Sequence, residues 1–339
     1  MYYVLLIENY KKAKLIQYNM ESIFKQRIGF NGDLKEISKI ICNDFNLGDF
    51  IDCKIILIGY EDFNFSLKTT NGKFFVKIFS NKRTLDDCKR NVDVVVKSIE
   101  AGVSVPKLYK SEQGYLHILK SDQSILRLCV MDFIDGKDFF TSKAPITQED
   151  MLSLAYQASL INSINIKPPK MYDSWAITNF PLEFEKKSQY LEKKDFDIIK
   201  PLVEKFRNLT IETLPNCFAH GDIIRTNVIK DKNDKIWIVD FSVSNYYPRI
   251  QELAVLACDI LFNKDNKEEG EQNLKDALEE YQKTIKLTPR ELESLPTYIK
   301  LAHAMHVLCA TYEKKVNNNN TEENEYFLNI GKSGLRQME

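Results

Sequence analysis

Three polar residues within AHGDIIRTNVIKDKNDKIWIVDF, residues 219–241, could act together in one reaction. Asp222 is followed by Asn227 five residues on and by Asp240 thirteen beyond that. Between the last two, NVIKD and KIWIVDF read as strands around a turn at Asn233-Asp234, residue types that favour turns. A hairpin folds its ends together, so Asn227 and Asp240 are expected side by side, with Asp222 on the loop leading in. An amide oxygen and a carboxylate are hard ligands that suit magnesium, an ion that keeps few protein ligands and fills its shell with water and phosphate oxygens. Asp222 is then free to accept a proton from an attacking hydroxyl.

Lys77, in FFVKIF, is a further candidate, because a lysine inside an aromatic strand calls for a charge partner. A solvent-facing lysine on a half-wet strand is the plainer reading. His303 and His306 lie three apart on a predicted helix with no acid spaced for a metalloprotease-type motif, and read as core or surface histidines. His220 reads as a brace for the loop rather than a proton carrier.

Elements must hold these residues in place. Residues 1 to about 50 read as largely helical, with Leu34, Ile37 and Ile41 at steps of three and four. From Cys53 the runs CKIILIGY, FNFSLKTT and KFFVKIF read as strands, and Asn71-Gly72 between the last two is a hairpin signal. A helix is expected from Thr84 to Glu100, then strands from His117 and Leu126, and a turn at Asp135-Gly136. From Gln148 onward the pattern is helical, interrupted by NVIKD and KIWIVDF, with a solvated loop at Asn317 to Asn320. A β-rich first part and a helical second part predict an α+β fold of two lobes with a cleft between them. The expected division is residues 1–132, a helical extension plus a nucleotide-binding sheet, and residues 133–339, with the catalytic loop, metal site and acceptor pocket.

Bulk properties agree. A chain of 339 residues has room for two lobes, and 44% hydrophobic with 28% charged residues gives a sizeable core. Basic and acidic side chains number 47 and 48, and a net charge of -1 argues against general nucleic-acid binding. The seven cysteines, Cys42, Cys53, Cys88, Cys129, Cys217, Cys258 and Cys309, are odd in number and contain no C-x-x-C pair, as free thiols in a reducing compartment would. There is no signal-peptide pattern and no apolar run long enough for a bilayer, so a cytoplasmic protein without a membrane partner is expected.

The motif H-G-D, four residues, N, found at His220-Gly221-Asp222 and Asn227, with D-F at Asp240-Phe241, resembles the aminoglycoside phosphotransferase and choline kinase superfamily. The resemblance covers about residues 35 to 310, although residues 145–215 carry no motif. It implies a bilobal protein-kinase-like fold and a kinase that uses ATP (or GTP) and magnesium to phosphorylate a hydroxyl of a small molecule. It further implies Asp222 as catalytic base, Asn227 and Asp240 as metal ligands, and Lys77 on the nucleotide phosphates. The loop Gly59 to Asn64 falls where the family covers the phosphates, so Gly59 and Asn64 are candidate nucleotide contacts, although a single glycine makes no G-x-G-x-x-G. In CVMDFIDGKDF, the backbone from Asp132 to Ile134 would meet the adenine edge and Met131 would gate the pocket. Family members pair the strand lysine with an acid on the next helix. Here Asn91 occupies the expected place, which leaves Asp93, ahead of Asp87, as the nominated partner.

The pattern H-G-D-x-x-R-x-N, the segment GYEDFNFSLKTTNGKFFVKIF and the run Tyr247-Pro248 with Gln251-Glu252-Leu253-Ala254 are similar to homoserine and hydroxylysine kinase-like members. Arg225 would bind an acceptor carboxylate bidentately or form a salt bridge within the fold. Glu252 reads as structural. An antibiotic kinase with an acidic pocket and a nucleotide-binding pseudokinase are the alternatives; a pseudokinase usually lacks at least one of Lys77, Asp222, Asn227 and Asp240, all present here. The N-terminal extension is expected either to pack on the first lobe or to mediate a homodimer.

Overall fold

Phe63, Phe65 and Leu67 alternate along one strand and Phe74, Val76 and Ile78 along the next. This period of two sends both sets to one buried face. The computed structural model describes residues 22, 25–56, 62–121 and 124–338, so Gly59 and most of the proposed N-terminal extension lie outside the described residues. Two compact units are present: residues up to Val96 together with Pro106–Ile134, and Lys97–Val105 together with Asp135 onward.

The first unit holds an antiparallel sheet in the order β1-β2-β3-β5-β4. Its strands are β1 (Phe50–Ile56), β2 (Phe63–Thr69), β3 (Gly72–Ile78), β4 (His117–Ser121) and β5 (Ser124–Asp132). Helix α1 (Leu34–Asp44) starts where the Asp33 carboxylate accepts the Lys35 N–H, and buries Leu34, Ile37 and Ile41 in the core beneath the sheet. Phe65 is fully buried there, and trimming it to alanine would cost about 3–5 kcal/mol. The β2–β3 turn is Thr70-Asn71, one residue earlier than the Asn-Gly signal suggests. Gly72, at φ 147, already pairs with Thr69. Helix α2 (Leu85–Glu100) comes next, and its entry is fixed by Thr84 and Asp87: the Asp87 carboxylate accepts the Thr84 N–H at 2.8 Å and Thr84 Oγ1 accepts the Asp87 N–H at 3.1 Å.

The second unit is mainly helical. Its helices are α3 (Phe139–Ser142), α4 (Gln148–Asn162), α5 (Phe180–Lys187), α6 (Lys193–Asn208), α7 (Ile250–Asp259), α8 (Lys267–Tyr281), α9 (Pro289–Val316) and α10 (Glu322–Gln337). Two small sheets lie among them: β6 (Gly136–Asp138), β8 (Val228–Asp231) and β9 (Ile236–Ile238) form one, and β7 (Asn216–Ala219) pairs with β10 (Asn245–Pro248) in the other. Strands β6, β7 and β10 are additions to the sequence reading, since three or four residues are too few to show a period. Helix α9 starts with a reciprocal Thr288–Glu291 capping box and is buried on most sides from Leu295 to Thr311. Helix α10 lies against it so closely that a Cβ on Gly334 would come within 2.2 Å of the His303 ring. Both histidines belong to this packed region: His303 is fully buried, and the His306 ring meets Phe327 at 5.1 Å. Among the described residues no helix is long and apolar enough to cross a membrane.

Candidate active site

Strand β7 carries the chain into His220-Gly221-Asp222, where one left-handed residue and two buried side chains shape the loop. Gly221 adopts φ 80, a conformation that a side chain would resist. The carboxylate of Glu252, in the first turn of α7, accepts the His220 N–H at 2.5 Å and the Gly221 N–H at 3.2 Å. Burial raises the Glu252 carboxyl to about 7 against the opposing pull of these donors. The His220 ring spans the two halves of the site: Nδ1 accepts the Asp222 N–H at 3.2 Å and Nε2 lies 3.2 Å from the Val239 carbonyl. Those partners demand the neutral Nε2–H tautomer, and burial pushes the imidazole down to about 4 even though Asp240 favours its charged form. The Phe241 ring closes on His220 at 4.4 Å. A brace is what this geometry provides.

Past Asp222 the chain makes one 3₁₀ turn at Arg225–Asn227. Asn227 Nδ2 then donates back to the Asp222 carbonyl at 3.0 Å and to its Oδ2 at 2.6 Å. The β8–β9 ladder continues past its strands, with the Val239 N–H on the Asn227 carbonyl at 3.0 Å, which sets Asp240 next to Asn227 as the hairpin argument requires. Strand β9 ends at Ile238 because Asp240 turns left-handed, at φ 63. Asp222 titrates well above a normal carboxylate, chiefly through burial, then through the charges of Asp173 and Asp240, with the Asn227 bond opposing. These residues fit a divalent cation: Asn227 spends its amide nitrogen on Asp222 and keeps its oxygen, while the buried Asp222 carboxylate feels acids rather than cations around it.

Arg225 is drawn into the fold. Asp259 accepts its backbone N–H at 3.1 Å, pairs with its Nε at 3.5 Å, and takes the Tyr326 hydroxyl at 3.2 Å. Asp173 escaped the sequence reading altogether. Its carboxylate accepts the Trp175 N–H at 2.8 Å, and burial moves it up to about 6, against that donor and Lys187.

In the first unit, Lys77 pairs with Asp62 at 3.2 Å, with both side chains largely buried. Asp62 also receives Arg83 Nε at 2.9 Å and the Ser80 N–H at 2.9 Å. Burial would raise this carboxyl, but Lys77 and Arg83 hold it below the usual range. This pairing corrects the nomination of Asp93, which faces solvent; Asp87 is occupied as the α2 cap. Asn64 lies directly across the ladder from Lys77 and is buried. Met131 pairs with Phe75. The Asp132 N–H is already given to the Lys107 carbonyl at 2.9 Å and that of Phe133 to Lys73 at 3.4 Å, so of this stretch the Ile134 N–H is the one without an internal partner among the described residues.

A family model described as a phosphotransferase enzyme family matches residues 52–287. A homoserine kinase from Methylobacillus flagellatus is 19% identical over 226 residues, covering 65% of this chain and 67% of that protein. Among solved structures, a spectinomycin phosphotransferase in complex with ADP and spectinomycin superposes with a TM-score of 0.65 at 13% identity, covering 91% of this chain and 100% of that one. A microcompartment-associated aminopropanol kinase gives a TM-score of 0.66 at 11% identity, over 89% of this chain and 96% of that one.

Proposed function

The chain belongs to the phosphotransferase enzyme family and has its kinase-like α+β fold, and from that premise we propose that it transfers the terminal phosphoryl group of ATP to a hydroxyl of a small molecule, a hydroxy-amino acid or amino alcohol. The observation that carries this reading is the join of Asp222, Asn227 and Asp240 through His220 and the Asn227 amide. Asp222 is the base that receives the acceptor's proton, and its position is set by backbone bonds rather than by a mobile side chain. Asn227 Oδ1 and the Asp240 carboxylate would hold magnesium, whose charge neutralises the phosphate oxygens as the bond to the leaving group lengthens. In the first unit, Lys77 is assigned to the phosphates, with Asn64 opposite it on the ladder and Asp62 fixing its head group. The Ile134 backbone is assigned to the adenine edge, beside Met131 and Asp132. The distant homoserine kinase relative supports the choice of acceptor class.

The test is ADP release by wild type and Asp222→Asn with ATP and magnesium, across hydroxylated amino acids, amino alcohols, sugars and aminoglycosides. Acceptor-dependent release should fall by about a hundred- to ten-thousandfold in the variant, the range for a lost general base. Near-normal turnover in the variant would remove Asp222 from that role. Tight nucleotide binding with no release for any acceptor would favour the pseudokinase.

A further inference from the structure

We propose that Asp173, with the indole of Trp175 beside it, receives the protonated amine of the acceptor, so that the phosphorylated hydroxyl belongs to a cationic amino alcohol or amino acid and not to a neutral polyol. This inference rests on the kinase reading and names the specificity-determining residues of the same site.

Each carboxylate near Asp222 in the second unit has a task except one. Asp240 is assigned with Asn227 to the metal. Asp259 is satisfied by Arg225 and the Tyr326 hydroxyl. Glu252 is filled by backbone N–H groups. Asp173 has a single backbone donor, from Trp175, and among the described residues no lysine, arginine or histidine nitrogen within 4.0 Å. Lys187, whose field reaches it, is already held by Glu183 at 2.8 Å and by Cys309 Sγ at 3.2 Å.

The loop that carries Asp173 is fastened to the strand that delivers Asp222. Asn245 on β10 receives the Met171 N–H at 3.0 Å and donates to the Met171 carbonyl at 2.8 Å, and it pairs across the ladder with Ala219. Ala176, three residues past Asp173, packs with Ala219, three residues before Asp222, and with Tyr247. Asn179 Nδ2 holds the Asp173 carbonyl at 2.7 Å. A half-buried aromatic wall continues from here, with Trp175 at 5.7 Å from Phe327 and 6.2 Å from His306. His306 adds no positive charge, since burial keeps its ring neutral. A fixed carboxylate without a counter-ion, next to the face of an indole, is a pairing that attracts an ammonium group.

Matched acceptors test this on the full chain: ethanolamine against ethylene glycol, 3-aminopropan-1-ol against propane-1,3-diol, and homoserine against 4-hydroxybutyrate. Wild type should use the amine member of at least one pair with a KM about a hundredfold below that of its amine-free counterpart. Asp173→Asn should raise the KM for that amine about 10- to 100-fold, far more than kcat falls, and Trp175→Leu about 3- to 30-fold. Equal use of both members of every pair by wild type overturns the proposal, as does a variant that loses kcat alike for amine and amine-free acceptors. Should Asp173→Asn fail to fold, Trp175→Leu carries the same test. If wild type phosphorylates nothing, the kinase reading fails separately, and calorimetry of the three amines with the ADP-bound protein decides: binding weakened in the variants supports the amine site, and no binding to wild type overturns it.

Discussion

Lys77 and Asp222 are both ionisable groups set in mostly buried surroundings, and their neighbourhoods treat charge in opposite ways. Around Lys77 the first unit supplies its own balance: Asp62 takes Lys77 and Arg83 together, and its carboxyl is held in the ionised form. Around Asp222 the second unit gathers carboxylates faster than cations, and Asp222 and Asp173 are both pushed toward protonation by burial and then by each other or by further acids. A buried group that is balanced internally serves as fixed scaffolding. A group left unbalanced creates a demand that only cations from outside can meet, which for a phosphoryl-transfer site means a metal and, with Asp173 as the amine's receptor, an ammonium.

The sharpest way to break the comparison is to unbalance the first region. Asp62→Asn would strand two buried cations and should cost about 3–5 kcal/mol in urea unfolding, the penalty for removing one partner of a buried pair. The pH dependence has a definite sign: the Asp62 carboxyl is depressed in the folded state, so its contribution is complete above the ordinary carboxylate range and is lost as pH falls through the folded value. A variant as stable as wild type would show that the Lys77 cluster is not self-balancing. The second region gives the next effect. Magnesium at about ten times its Kd should stabilise the nucleotide-free protein by roughly 1.4 kcal/mol in a thermal melt, and Asp240→Asn should remove most of that gain. Asparagine is the substitution to use, because it tolerates the left-handed backbone at φ 63 that most residues resist. No response to magnesium in wild type would count against an unbalanced site. The smallest effect is Asp93→Asn: an exposed residue with no role at Lys77 should change stability by less than about 0.5 kcal/mol and leave turnover unchanged.

The sequence was most readable where structure is local. Asp222, Asn227 and Asp240 sit on one loop and one hairpin, so their spacing already implied their meeting, and the ladder bond from Val239 to Asn227 is the form that meeting takes. Helix α2 and the strands around Lys77 declared themselves through periodicity. Asp62 did not, because it reaches Lys77 and Arg83 from a connection ahead of β2, and helical spacing on α2 could nominate only residues of that helix. Asp173 stands 49 residues before Asp222 in a loop without pattern, held there by Asn245 from still further along the chain. Strands β6, β7 and β10 owe their existence to partners distant in sequence, and a run such as Asn245–Pro248 carries no signal of its own.

The bond from Glu252 to the His220 and Gly221 amides has a consequence for how much of the chain makes an enzyme. A fragment ending at Arg249 would contain Lys77, Asp222, Asn227 and Asp240, every letter by which such a protein is recognised. It would lack the one carboxylate that bends the backbone around Asp222, and two amides would be left unanswered in the interior. The signature and the competence it advertises therefore end at different places in the chain, and the first turn of α7 is where the second begins.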